Sequence, residues 1–158
     1  MAHTVEPAGF WRTKVFSVDH KMIGKQYLVI GLFWAVAGGF LAYLMRMQLA
    51  WPDQPVPGWG YAGSNVYNMV VTMHGTIMVF FVAMPILLGA LGNFILPLMI
   101  GAEDMAFPRL NRLSVWTFAL ASVVMLSSFF VPGGAAASGW TAYPPLSARA
   151  AYTGVEWG

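Results

Sequence analysis

The chain has 158 residues, of which 58% are apolar and only 9% charged, with a net charge of +2 and no cysteine. A soluble domain carries about 25% charged residues, so most of this surface faces lipid or other protein. The Lys and Arg residues stand singly between apolar stretches, which excludes a nucleic-acid surface. The lack of thiols excludes a disulfide framework, a thiolate zinc site and a cysteine nucleophile.

Residues 1–22 hold Glu6, Arg12, Lys14, Asp19 and Lys21 without an apolar core, unlike a signal peptide. Ser17 or Asp19 is placed to cap a helix that starts ahead of the first apolar run. That run lies between Lys25 and Arg46, and its residues 27–45 read YLVIGLFWAVAGGFLAYLM. At the helical rise it reaches about 29 Å, close to the ~30 Å of a hydrocarbon core. A first span over about 20–47 is expected.

From Gln54 to Ala102 there is no charged residue. Pro55 to Gly60 is turn-rich and aromatic, as in an interfacial loop. The second span, 65–100, would be ~54 Å long if wholly helical. It is expected to tilt, to project from the bilayer or to kink at Pro85, with Gly89, Gly92 and Pro97 as weaker points. The third span is expected over about 112–131, with Pro108 as a first-turn proline and Pro132-Gly133-Gly134 as its stop. Residues 1–19 then form a tail and 132–158 a loop containing Trp140, Tyr143, Pro144 and Pro145. The expected class is all-α, a polytopic transmembrane helix bundle forming part of one domain.

Cations set the expected orientation. With the N-terminus inside, the inner segments carry Arg12, Lys14, Lys21, Lys25, Arg109 and Arg112, and the outer ones only Arg46 and Arg149. The positive-inside bias favours that arrangement. It puts Asp104 on the cytoplasmic side and His74 nearer the outer one.

His74 has no acidic or basic neighbour within twenty residues on either side. It would lie roughly 10–13 Å deep in the second span, where an ionisable group marks function. A neutral imidazole is a good axial ligand for haem iron. A histidine hydrogen-bonded to a neighbouring helix, another metal or a proton relay explains it as well. Tyr67, seven residues upstream, shares its helix face. Gly75, Gly38 and Gly39 would let a planar group approach the backbone, or would serve helix packing alone. Arg46 closes the first span and reads as a snorkelling anchor.

The second inner loop reads GAEDMAFPRLN. A carboxylate such as Asp104 at a helix mouth can collect protons from water, although loop acids are often merely solvated. Asn93, eleven residues earlier, would share its face if the helix continued, and Asn111 and Ser114 add polar groups beyond the loop. Together these side chains could hold ordered water.

The runs DHKMIGKQY (19–27), YNMVVTMHGTIMVFFVAMP (67–85), GNFILPLMIGAEDMAFPRLN (92–111) and GWTAYPPL (139–146) resemble subunit I of the haem–copper terminal oxidases. The likeness covers nearly all of residues 17–147 in order. It implies that His74 is one of two axial ligands of a low-spin haem, haem a. It also implies that Arg46 bonds a haem substituent and that Tyr67, Trp140 and Tyr143 lie by the haem propionates. Asp104 would be the mouth of the D proton pathway, lined by Asn93, Asn111 and Ser114. The implied activity is that of a proton-translocating cytochrome c oxidase. Electrons would pass from cytochrome c through the low-spin haem to a haem–copper site that reduces oxygen to water.

Gln48 stands where many members carry a cation-binding glutamate, and Arg112 where an asparagine is common. The family's subunit I has about twelve helices, so the chain is expected to be the amino-terminal part of a longer one, inactive and a poor haem binder in isolation. The second axial histidine, the high-spin haem, its ligand and the copper B ligands are expected outside it. Expected partners are subunits II and III, cytochrome c and the bilayer of a bacterial inner membrane. The competing readings are a quinol oxidase of the same superfamily, a membrane scaffold or assembly protein, and a small transporter gated by His74.

Overall fold

A computed structural model describes residues 9–132, 134–145 and 147 of the chain. Among the described residues three helices are long and apolar enough to cross a membrane: α1 (His20–Ala50), α2 (Ser64–Ile100) and α3 (Pro108–Phe130). The protein is thus an all-α membrane protein. At ~1.5 Å per residue, α1 and α2 are about 46 and 56 Å long, well beyond the hydrocarbon thickness.

The helix ends follow from local chemistry. Asp19 caps α1, its carboxylate accepting from the backbone N–H groups of Lys21 and Met22, a bond geometry that satisfies otherwise orphaned donors. Pro108 opens α3 at a first-turn position, where its missing N–H costs nothing. Gly101 ends α2 in the left-handed region at φ 68°, which a residue with a Cβ adopts at a cost. Between α1 and α2, Val56 and Gly60 pair across a tight turn, with positive φ at Gly58 and Gly60.

Pro85 does not break α2. The helix passes through it with widened π turns on both sides, Ile77–Ala83 and Pro85–Leu91. Here Met84 donates to Val79 O and Gly92 to Leu87 O, five residues back. A proline ring crowds the carbonyl four residues before it, and widening the turn relieves that contact.

A seven-residue rhythm joins α1 to α2. His20, Tyr27, Trp34 and Leu41 are buried, and so are Gly24, Gly31 and Gly38, four residues on from each of the first three. The glycines meet successively earlier parts of α2, first Ala90–Phe94, then Ile86, then Ile77 and Met78, so the helices run antiparallel. A Cβ at Gly31 would come within 2.8 Å of Ile86, and one at Gly38 within 2.7 Å of Met78 Sδ. In return, Gly89 of α2 receives the ring of Tyr27. Small residues are what let helix backbones approach in lipid, where no hydrophobic force joins them.

α3 leans on this pair through aromatic contacts. Tyr27 stacks on Phe118 at 5.5 Å, Phe81 tilts against Phe118 at 5.8 Å, and Trp34 Nε1 donates to Ser122 Oγ at 3.0 Å.

Candidate functional site: a histidine with one free nitrogen

His74 sits in the regular first part of α2, Ser64–Thr76, whose 3.6-residue winding puts Tyr67 on the same face. Gly38 has no side chain to hold the helices apart, so the imidazole reaches the α1 backbone. His74 Nδ1 lies 2.9 Å from Gly38 O. A carbonyl can only accept, so Nδ1 carries a proton, and in a neutral imidazole the lone pair would then be at Nε2. Nε2 has no hydrogen-bond partner among the described residues, and the side chain is half-buried. A metal-binding histidine is characteristically fixed by this kind of bond from its second nitrogen. The ring therefore fits the requirement for an axial haem ligand. Among the described residues no three His, Asp or Glu side chains converge, so His74 is a lone donor rather than part of a metal cluster.

The GWTAYPPL turn docks beside it. Gly139 N–H donates to Thr72 Oγ1 at 2.9 Å, and that buried hydroxyl donates to Asn68 O at 2.7 Å. Trp140 is thereby laid over Gly75, where a Cβ would meet its ring at 2.9 Å, and tilts against Phe80 at 6.4 Å. Gly75 is thus covered by an indole.

Gly38 is buried under Met78, while Gly39 faces open space. Tyr67 is half-buried, and Arg46 and Tyr143 are exposed. Arg46 makes no hydrogen bond or ion pair among the described residues. Arg149 and residues 150–158 lie outside the described residues.

At the other end of the pair, Asn93, Asn111 and Ser114 come together. Asn93 Nδ2 donates to Gly89 O at 2.6 Å, and Asn111 Nδ2 donates to Asn93 Oδ1. Ser114 Oγ donates to Asn111 O at 2.7 Å and accepts from Tyr27 OH at 2.8 Å. His20 Nδ1 completes the set, 2.7 Å from Asn93 O. That carbonyl is available because Pro97, four residues on, has no N–H to give it. A freed carbonyl in a membrane helix needs a donor from a neighbouring helix, and His20 is that donor.

Sequence reasoning passed over His20 and Tyr27. Their signal was the spacing of polar aromatic residues at 20 and 27 in register with Trp34, together with the proline four residues after Asn93.

The expected shared face of Asn93 and Asp104 is corrected. The helix does not continue, because Gly101 turns the chain into the left-handed region. Asp104 lies in the loop, half-buried, accepting from the N–H of Met105 at 2.7 Å. Among the described residues no hydrogen bond ties it to Asn93, Asn111 or Ser114. Arg112 turns to the N-terminal segment and donates to Phe16 O at 3.3 Å. Gln48 keeps a buried Oε1 without a partner among the described residues.

Residues 22–157 match the family described as cytochrome c and quinol oxidase polypeptide I. The chain is 41% identical over 96% of its length to the alternative cytochrome c oxidase subunit 1 of Bradyrhizobium diazoefficiens. It is 47% identical over 87% of its length to cytochrome c oxidase subunit 1 of Thermostichus vulcanus, and 44% over 89% to that of a Synechocystis species. It spans about a quarter of the length of each, 24–25%. With a match this extensive, the chain belongs to the cytochrome c and quinol oxidase polypeptide I family, the haem–copper oxidase subunits I.

Proposed function

We propose that this chain forms the beginning of the catalytic subunit of a proton-pumping terminal oxidase, where it holds one face of a low-spin haem and the mouth of a proton pathway. The observation that carries the reading is the His74–Gly38 bond, which leaves Nε2 as the free nitrogen. When bound, the haem supplies a one-electron carrier between an external donor and an oxygen-reducing centre. This chain's residues fix its position. His74 Nε2 would hold its iron, with the Gly38 carbonyl holding the ring orientation. Trp140 and Tyr67 border the same helix face, and Arg46 is placed two turns beyond Gly38 on α1 to bond a haem substituent. Tyr143 belongs to the same outer loop.

In this reading the N-terminus is cytoplasmic, as the cation distribution favours, and the membrane is a bacterial inner membrane. Asp104 collects protons there. The bonded groups of Asn93, Asn111, Ser114 and Tyr27 offer donors and acceptors to water beyond it. The donor is cytochrome c, in keeping with the names of the three relatives. The second axial histidine, the high-spin haem and copper B belong to the remainder of the subunit, and subunits of types II and III are its partners.

The test is His74→Ala in a complete subunit carrying this segment. The low-spin haem absorbance should disappear while the membrane-inserted subunit persists; retention of that absorbance with normal turnover overturns the reading. Asp104→Asn should slow proton uptake while leaving the haem spectrum unchanged.

A further inference from the structure

Thr72 stands two residues before His74 and is 2% exposed. Its hydroxyl donates to Asn68 O at 2.7 Å, four residues back on α2. A hydroxyl has one proton, so the oxygen is left as an acceptor, and the back-bond fixes its rotamer. Gly139 N–H donates to it at 2.9 Å. The other hydrogen bonds of this segment stay local: Gly134 N–H to Val131 O, Ala142 N–H to Gly139 O and Ser147 N–H to Tyr143 O. Among the described residues, only the bond to Thr72 ties residues 134–147 to a membrane helix. The turn so held is strained, because Ala142 takes φ 51°, a region where a non-glycine residue persists only if its surroundings hold it. Trp140, inside this turn, lies over Gly75 with half of its surface open. Thr76 offers the contrast within one helix. Its hydroxyl makes the same back-bond, to Thr72 O at 2.9 Å, and holds no loop among the described residues.

We propose that Thr72 is a positioning residue: its hydroxyl fixes where Trp140 lies against the turn of α2 that carries His74, and the indole so placed limits the access of water to that turn. The proposal rests on the reading of His74 as a haem ligand. At about 100° per residue, Thr72 lies about 200° round α2 from His74. It therefore cannot touch a group bound there and acts only through the loop. Gly75, about 100° round, lies between them, under the indole. Without the hydroxyl, Gly139 N–H loses its acceptor on α2, and only contacts such as those of the indole with Gly75 and Phe80 hold the turn. Water beside a metal centre favours its more highly charged oxidation state, since the surrounding shell sets the local dielectric. Releasing Trp140 should thus lower the midpoint potential with no change of ligand.

The test uses a complete subunit carrying this segment, with hydroxyl-radical labelling read at Trp140 by mass spectrometry and redox titration of the low-spin haem band. Thr72→Val keeps the side chain's shape and removes the hydroxyl. It should raise Trp140 labelling several-fold and shift the midpoint to lower potential, with the band retained. Thr72→Ser should match the parent in both readouts, and Thr76→Val should change neither. Where the valine variant does not assemble, Thr72→Ala should give the same two shifts. The proposal is overturned if labelling is equal with and without the hydroxyl, if Thr72→Ser releases Trp140 as valine does, or if Thr76→Val has the same effect. It also falls if labelling rises while the potential stays unchanged, or if neither Thr72→Val nor Thr72→Ala assembles, since Thr72 would then serve the fold alone. Labelling needs no haem. Should the low-spin band survive His74→Ala, the ligand reading fails by itself, and the Trp140 labelling still decides what Thr72 holds.

Discussion

Two histidines cross between the same two helices in opposite directions. His20 of α1 gives its Nδ1 proton to a carbonyl of α2, and His74 of α2 gives its own to a carbonyl of α1. The bonds are nearly equal in length, 2.7 and 2.9 Å, but the settings differ. His20 is 2% exposed and answers a carbonyl that Pro97 left without its helical donor. His74 is half-buried, and the Gly38 carbonyl it contacts lies within an unbroken helix. The first bond repairs a helix. The second is not needed for that purpose. What separates the two histidines is therefore not membrane depth but whether the carbonyl partner lacked its helical donor and how far the ring is buried.

That contrast can be broken in order of expected effect. The largest follows from His74→Ala in a complete subunit, which should abolish the low-spin haem spectrum, whereas His20→Ala should leave that spectrum in place. Next, Gly38→Leu drives a side chain into Met78. Overpacking of this kind costs ~1–3 kcal/mol, and the shift should appear in unfolding by mixed detergent micelles, while Gly39→Leu, which faces open space, should change little. His20→Leu strands the Asn93 carbonyl and should cost about 1–3 kcal/mol. Pairing it with Pro97→Ala, which restores the missing N–H, should recover most of that loss; equal destabilisation in the single and double variants would refute the repair. Asp19→Ala removes the α1 cap, a loss of ~1 kcal/mol in helix stability. Smallest of all, Leu120→Ala on the exposed face of α3 should stay within about 0.5 kcal/mol in the same assay.

The spans were legible because long uncharged runs admit few structures in lipid, and the caps because Asp19 and Pro108 carry local chemistry that needs no distant partner. His74 was legible as a lone ionisable group in hydrocarbon. Asn93 was joined to Asp104 by helical periodicity, and Asn111 and Ser114 by their place beyond the loop; the two asparagine side chains bond to each other and Ser114 bonds the Asn111 carbonyl. The shared face of Asn93 and Asp104 failed because face periodicity holds only while the helix lasts, and one residue at positive φ ends it.

By itself, then, the sequence determined an all-α membrane bundle with three spans among the described residues, since burial in lipid and helical periodicity act within a single segment. The tertiary structure alone decided which carbonyl each histidine meets, that Gly38 serves the approach of α2, and that Trp140 covers Gly75. Those outcomes depend on the register of one helix against another. That register is set by shape, through glycines spaced seven residues apart, and composition does not express it.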